Sequence, residues 1–220
     1  MPVQSPTTAA IQQFDKALAV DVKYARAYVA KGETLEALGR IPEAFAAYDL
    51  AVKSDPALIG AYIARGRGYF LQADYARAWD DFQAAIDKDP FSEDSFYGRG
   101  RAELALKRFN EAISTFEELA GRRPDYGVQC SRGMAYLERG LANRDKKDRS
   151  DFQKAYDSFG EAILLRAGDT TEATNRQGYA KALAFNKMAG IAAGFASSLV
   201  GAQKPSLATL DPARACASGA

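Results

Sequence analysis

The sequence predicts an all-α solenoid, and three observations carry that reading. Four marks recur in fixed order with a period of 34: Gly32, Gly66 and Gly100; Ala44, Ala78 and Ala112; Tyr48, Phe82 and Phe116; Pro56, Pro90 and Pro124. Gly133, Ala155 and Phe159 carry the first three marks once more, with Gly133 one residue early. Within each of the first three units the second-helix Ala, its aromatic and a further Ala or Leu (Ala51, Ala85, Leu119) lie four and then three residues apart, which puts them on one helical face. A period near 34 is the signature of stacked helical hairpins, none of which buries its apolar face alone.

The elements follow in chain order. Residues 1–8 are expected to be disordered and a solenoid of about four and a half repeats to span 9–187. Ala10, Phe14 and Ala17 reproduce the second-helix triad with no first helix before them. Three readings fit such a helix: a cap, the start of an excised piece of a longer array, or a face that pairs with another subunit. Full repeats are expected near 25–58, 59–92, 93–126 and 127–169. Each of the first three opens with a helix holding an aromatic at its fourth position (Tyr28, Tyr62, Phe96) and a Gly four residues on. Gly inside a helix costs about 1 kcal/mol relative to Ala, so its recurrence calls for close approach of a neighbouring helix. The second helices carry Ala44/Tyr48/Ala51, Ala78/Phe82/Ala85 and Ala112/Phe116/Leu119, and the Pro marks stop one helix before the next begins.

The fourth repeat has ten extra residues between Gly133 and Ala155, around Asn143 to Asp151. An insertion near 143–151 is read as a solvated loop or a lengthened hairpin, with an interaction loop as the alternative. Its charges alternate in sign, unlike a phosphate-binding patch. Further on, Thr170 or Thr171 can cap a helix, and an apolar capping helix is expected at 188–201. A disordered tail is expected at 202–220, where Ala, Ser, Pro and Gly dominate.

Composition removes several functions. Lys plus Arg is 29 against 28 for Asp plus Glu, so bulk charge does not recruit nucleic acid or an anionic membrane. There is no His, hence no Ser–His or Cys–His nucleophile and none of the commonest metal ligand. No phosphate-binding loop or nucleophile elbow occurs, and Gly66-Arg-Gly and Gly98-Arg-Gly fall inside helices. Neither a catalytic residue, a metal nor a cofactor is expected. The two cysteines, Cys130 and Cys216, make no disulfide framework, and Cys130 is expected as a core thiol in the aromatic place of its repeat. The chain is read as reduced and cytoplasmic, although a periplasmic or secreted protein has the same features. No stretch is long and apolar enough to span a bilayer.

The run Tyr28, Gly32, Leu35, Ala44, Tyr48, Ala51, Pro56 resembles the tetratricopeptide repeat family, with Tyr in place of the family's Trp. The resemblance is clear over 25–124. It implies antiparallel helix pairs in a right-handed superhelix, with first helices lining a concave groove that holds a partner. Positions two, five, nine and twelve of those helices would face the groove. That yields Arg26, Val29, Glu33 and Glu36; then Gly60, Ile63, Arg67 and Phe70; then Asp94, Tyr97, Arg101 and Leu104. Arg67 and Arg101 beside Ile63, Phe70 and Tyr97 suit a peptide carrying carboxylates and apolar side chains. The residues that clamp chaperone tails in some family members are absent, since Val29, Glu33, Ala64, Asp94 and Gly98 stand there.

A basic residue precedes each Gly: Lys31, Arg65, Arg99 and Arg132. Such a ladder suits either acidic ligands or local pairing with second-helix acids such as Asp80 or Asp81. The expected function is a non-catalytic adaptor holding a peptide or helical segment of a partner protein. The alternative is a self-associating scaffold using the terminal helices.

Overall fold

The structure, a computed structural model, describes residues 6–143 and 150–165, which form nine α-helices and no strand. The expected elements at 188–201 and 202–220 lie outside the described residues. None of the described helices is long and apolar enough to cross a membrane. The chain divides into two compact units, residues 1–99 and 100–220.

In the first unit α1 (Pro6–Val20) precedes two hairpins, α2 (Ala25–Ala37) with α3 (Ile41–Ser54) and α4 (Ile59–Leu71) with α5 (Tyr75–Lys88). The opening half of α6 (Glu93–Ala105) completes it. α1 begins at Pro6, ahead of the expected boundary at residue 9. Proline suits a first helical turn, because its missing N–H has no partner there in any case.

Three equivalent turns separate these helices, and they are built alike. Asp21, Asp55 and Asp89 each accept the backbone N–H two residues on, from Lys23 (2.9 Å), Ala57 (3.0 Å) and Phe91 (3.0 Å). Such a side chain offers the backbone an alternative to helix and so ends one helix before the next starts. Within hairpins the corner is tighter. Gly39 and Ala73 take positive φ of 74° and 59°, and the N–H after each returns to a carbonyl five residues back, on Leu35 and Tyr69, at 2.9 Å. This is the helix-terminating arrangement that favours glycine.

Glycines set how near the helices come. A methyl on Gly32 would stand 2.5 Å from the Tyr48 ring, so α2 and α3 close only with no side chain there. Gly68 and Gly98 play a second role, facing rings of the preceding hairpin: Tyr48 and Phe45 for Gly68, Phe82 for Gly98. The Gly66-Arg67-Gly68 triplet thus touches two layers, Gly66 lying against Phe82 of its own hairpin and Gly68 against the previous one. Tyr48, Ala44, Ala51, Phe82, Ala78 and Ala85 are all buried, while Pro56 and Pro90 are exposed.

The second unit contains the rest of α6, α7 (Phe109–Arg122) and the hairpin α8 (Tyr126–Ala142) with α9 (Ser150–Leu165). Gly100 faces Phe116 and Gly133 faces Phe159, with Ala112 and Ala155 fully buried beside them. Pro124 is exposed ahead of α8, and Asp125 caps that helix by accepting the Val128 N–H at 2.8 Å.

α8 starts at Tyr126, one residue before the position a period of 34 predicts. Counted from there, Gly133 keeps the register of Gly32, Gly66 and Gly100, and Gln129 rather than Cys130 stands in the aromatic place. Cys130 is fully buried and disulfide-bonded, not the thiol expected.

The extra residues lengthen the last hairpin. α8 has 17 residues where α2 has 13, and α9 has 16 where α3 has 14. Seven residues along α8 from Gly133, Gly140 faces Phe152, which lies seven residues before Phe159 on α9. Seven residues make nearly two turns, so the antiparallel contact is repeated on the same faces.

Candidate functional site

The basic ladder is spoken for by the protein itself. Arg65 makes a two-pronged contact with Asp81 of its own hairpin (Nε–Oδ2 2.8 Å, Nη2–Oδ1 2.7 Å) and reaches Asp49 of the preceding one at 2.7 Å. Lys31 donates to Asp15 (2.6 Å) and Arg99 to Gln83 (2.9 Å), each 16 residues back, as Asp49 is from Arg65. In the second unit Arg132 donates to Ser158 (3.0 Å) and Glu161 (2.8 Å). Arg139 repeats the two-pronged contact on Asp151, at 2.9 and 2.6 Å. These side chains tie helices together, so the ladder is structural and not a row of free cations.

The first-helix faces of the first unit are the surface that family geometry singles out. Arg26, Glu33 and Arg67 are exposed there, and Ile63 is half-buried. No hydrogen bond or ion pair among the described residues engages Arg26 or Arg67. Tyr97 is also half-buried, while Asp94 is exposed. Phe70 departs from the expected open position: it is 7% exposed, with its ring 5.2 Å from that of Tyr75. In the second unit Arg101 is half-buried and Leu104 is 2% exposed. The twelfth position therefore serves the core in both units, and the usable face narrows to positions two, five and nine.

Beneath that face sits a carboxylate whose surroundings the sequence did not disclose. Glu36 accepts from the Tyr48 hydroxyl through Oε2 (3.2 Å), while Oε1 is buried against Gly68 without a hydrogen bond. Burial pushes its carboxyl above the ordinary carboxylate range; the Tyr48 bond opposes this, and the nearby Glu33 charge adds to it. Burial and then the Glu36 charge hold the Tyr48 phenol far above its own range, with Arg67 acting in the opposite sense. Glu33, Glu36 and Arg67 thus form one electrostatic neighbourhood around Tyr48.

Two depressions open elsewhere, one in each unit. The first, of about 400 Å³, is lined by Phe45, Asp49, Tyr69, Gln72, Asp74 and Arg77. The second, about 640 Å³, is a polar cleft between the lengthened hairpin and the start of α7, with Lys107, Asn110, Arg139 and Asp151 in its lining. Among the described residues no group of three or more His, Cys, Asp or Glu is placed to hold a metal ion.

A family model for the tetratricopeptide repeat matches residues 7–59 and 63–127. The chain belongs to that family, and its fold is the family's all-α helical repeat. Solved structures agree on the fold. MamA shares 23% identity, covering 72% of this chain and 88% of its own, with a TM-score of 0.60. YrrB, described as a tetratricopeptide protein with an unusual peptide-binding site, shares 21% over 78% of this chain and 95% of its own, at a TM-score of 0.56. PilF of Pseudomonas aeruginosa shares 15% over 90% and 93%, at 0.64. No curated protein matches the chain. The fold is generally a non-enzymatic protein–protein interaction module.

Proposed function

We propose that this protein is an adaptor that holds a peptide or helical segment of a partner protein on the first-helix face of its first unit. The observation that carries the reading is the contrast between two sets of arginines. Arg65 is consumed by ion pairs inside the scaffold. Arg26 and Arg67 stand exposed with no ion partner among the described residues, and Arg67 has Ile63 one turn away on the same face. An arginine next to apolar surface supplies both a carboxylate fork and contact area. Glu33, at the position of the first repeat equivalent to Arg67, makes the face mixed in charge, so the fitting segment carries both an acid and a base among apolar residues.

Pull-down after chemical crosslinking, read by mass spectrometry, tests this on the full chain. Arg26→Glu with Arg67→Glu should remove partners that Asp80→Lys, on the exposed side of α5, retains. An unchanged set of captured proteins in the double variant would rule the face out.

A further inference from the structure

The depression at the α3/α4–α5 corner is built unlike its counterpart in the second unit. Tyr69 and Tyr136 occupy the eleventh position of their repeats; Asp49 and Glu117 occupy the twenty-fifth position of the repeats before. In the second unit the pair closes on itself, the Tyr136 hydroxyl donating to Glu117. That bond, after burial, pushes the Tyr136 phenol up to about 12. In the first unit Asp49 is one methylene shorter and accepts from Arg65 through Oδ1 instead, and among the described residues no hydrogen bond engages its Oδ2. The Tyr69 ring lies 4.6 Å from Phe45, and Arg77, gripped by Asp74, sits 4.7 Å from the Tyr69 centroid.

The depression that results joins an aromatic wall to two carboxylates and one guanidinium. At about 400 Å³ it lies near the lower end of small-ligand pockets and matches a side chain rather than a folded segment. Its lining already shows what it accepts: one guanidinium rests on the ring and another on Asp49. Tyr69 follows Arg67 by two residues, about 200° round the helix, so this wall lies on the other side of α4 from the first-helix face.

We propose that this depression is a second recognition site, which takes an Arg or Lys side chain presented by a partner protein. The aliphatic stem lies along Phe45 and Tyr69, and the cationic head donates to Oδ2 of Asp49. The site is independent of the first-helix face and stands or falls separately from it.

Amide-resolved NMR titration of the full chain with N-acetyl-arginine methylamide and N-acetyl-lysine methylamide tests the site. Both probes should shift Phe45, Asp49, Tyr69 and Gln72, whereas N-acetyl-glutamate methylamide leaves them unmoved. Asp49→Asn should weaken binding about tenfold, the loss of one charge-assisted hydrogen bond. Asp49→Glu keeps the charge but lets the carboxylate meet Tyr69 as Glu117 meets Tyr136, so binding should fall there too. Equal shifts with the glutamate probe, shifts scattered over the acidic surface, or full binding by either variant would overturn the proposal. Loss of partner capture in the Arg26/Arg67 variant bears on the other face alone.

Discussion

The hairpins α4–α5 and α8–α9 solve one packing problem with different numbers of the same device. In the shorter, Arg65-Gly66 meets Asp81-Phe82: the glycine admits the ring, and the arginine grips the acid beside it. In the longer the device appears twice. Gly140 and Phe152 come with the full Arg139–Asp151 grip, whereas at Gly133 and Phe159 the acid is replaced by Ser158. The contrast teaches that the insertion is not a bulge in a regular repeat. Its ten residues allow the glycine–ring contact to recur seven positions further along each helix, which preserves the facing sides of both.

The largest expected difference lies in the grips. Asp81 is 6% exposed, and its Arg65 partner is also largely screened from water. Asp81→Ala leaves a half-buried guanidinium with Asp49 alone, and should cost about 2–3 kcal/mol in urea unfolding. Ser158→Ala removes a neutral acceptor from Arg132, which keeps Glu161, and should cost about 1 kcal/mol. Equal losses would mean that the acid adds nothing to the serine, and the comparison between the hairpins would fail.

Next come the glycines. A methyl on Gly133 would stand 2.6 Å from the Phe159 ring, which is fully buried. Gly133→Ala should destabilise by about 1–3 kcal/mol through overpacking, net of the helix propensity gained. At Gly66 the nearest atoms are 3.2 and 3.3 Å away, so small adjustments suffice. There clash and propensity nearly cancel, and Gly66→Ala should change stability by less than about 1 kcal/mol. Thermal unfolding of both variants orders the two sites.

These particulars show what was legible beforehand. The helical hairpins were, because a buried ring needs a residue without a side chain opposite it, and that demand leaves Gly and aromatic marks at fixed spacing. The doubled contact was present as well, in Arg132-Gly133 and Arg139-Gly140 set seven apart, but a period of 34 does not look for seven. The same fixed period put Cys130 where Gln129 belongs, although the early Gly133 already marked the shift. The Asp49–Tyr69 depression left no trace in the sequence pattern, since it turns on one methylene and on which cation Asp49 meets. Nor did pattern separate Arg67 from Arg65, two residues apart in the chain and about 200° apart on the helix.

The first hairpin differs again, because among the described residues no guanidinium pairs with its inner carboxylate, Glu36. Burial raises the Glu36 carboxyl in the folded chain, so the native state holds that proton more tightly than the unfolded chain does. Stability from this group therefore rises as pH falls through the window just above the ordinary carboxylate range, and is lost as pH rises through the folded value. Glu36→Gln keeps an acceptor for the Tyr48 hydroxyl but cannot titrate. The stability difference between wild type and Glu36→Gln should move in favour of wild type on acidification. A difference that stays flat with pH would show that Glu36 is solvated enough to behave like a surface carboxylate.

The smallest effect lies at the corners, where the chain answers one backbone demand in three ways. Gly39, Ala73 and Lys107 hold equivalent places with φ of 74°, 59° and 60°, each followed by a return hydrogen bond of 2.9 Å. A left-handed L-residue costs about 1–2 kcal/mol, whereas glycine adds about 0.4–1 kcal/mol of freedom to the unfolded chain. The two terms leave a net gain of about 0.5 kcal/mol for Ala73→Gly and for Lys107→Gly. Gly39→Ala should lose a similar amount, since no neighbouring atom lies within 4 Å of the new methyl and the backbone term acts alone. If Ala73→Gly is instead destabilising, that corner owes its shape to something besides the backbone. The nearest candidate is the Asp74–Arg77 contact that caps α5, and the Ala73→Gly, Arg77→Ala pair then shows whether the two couple.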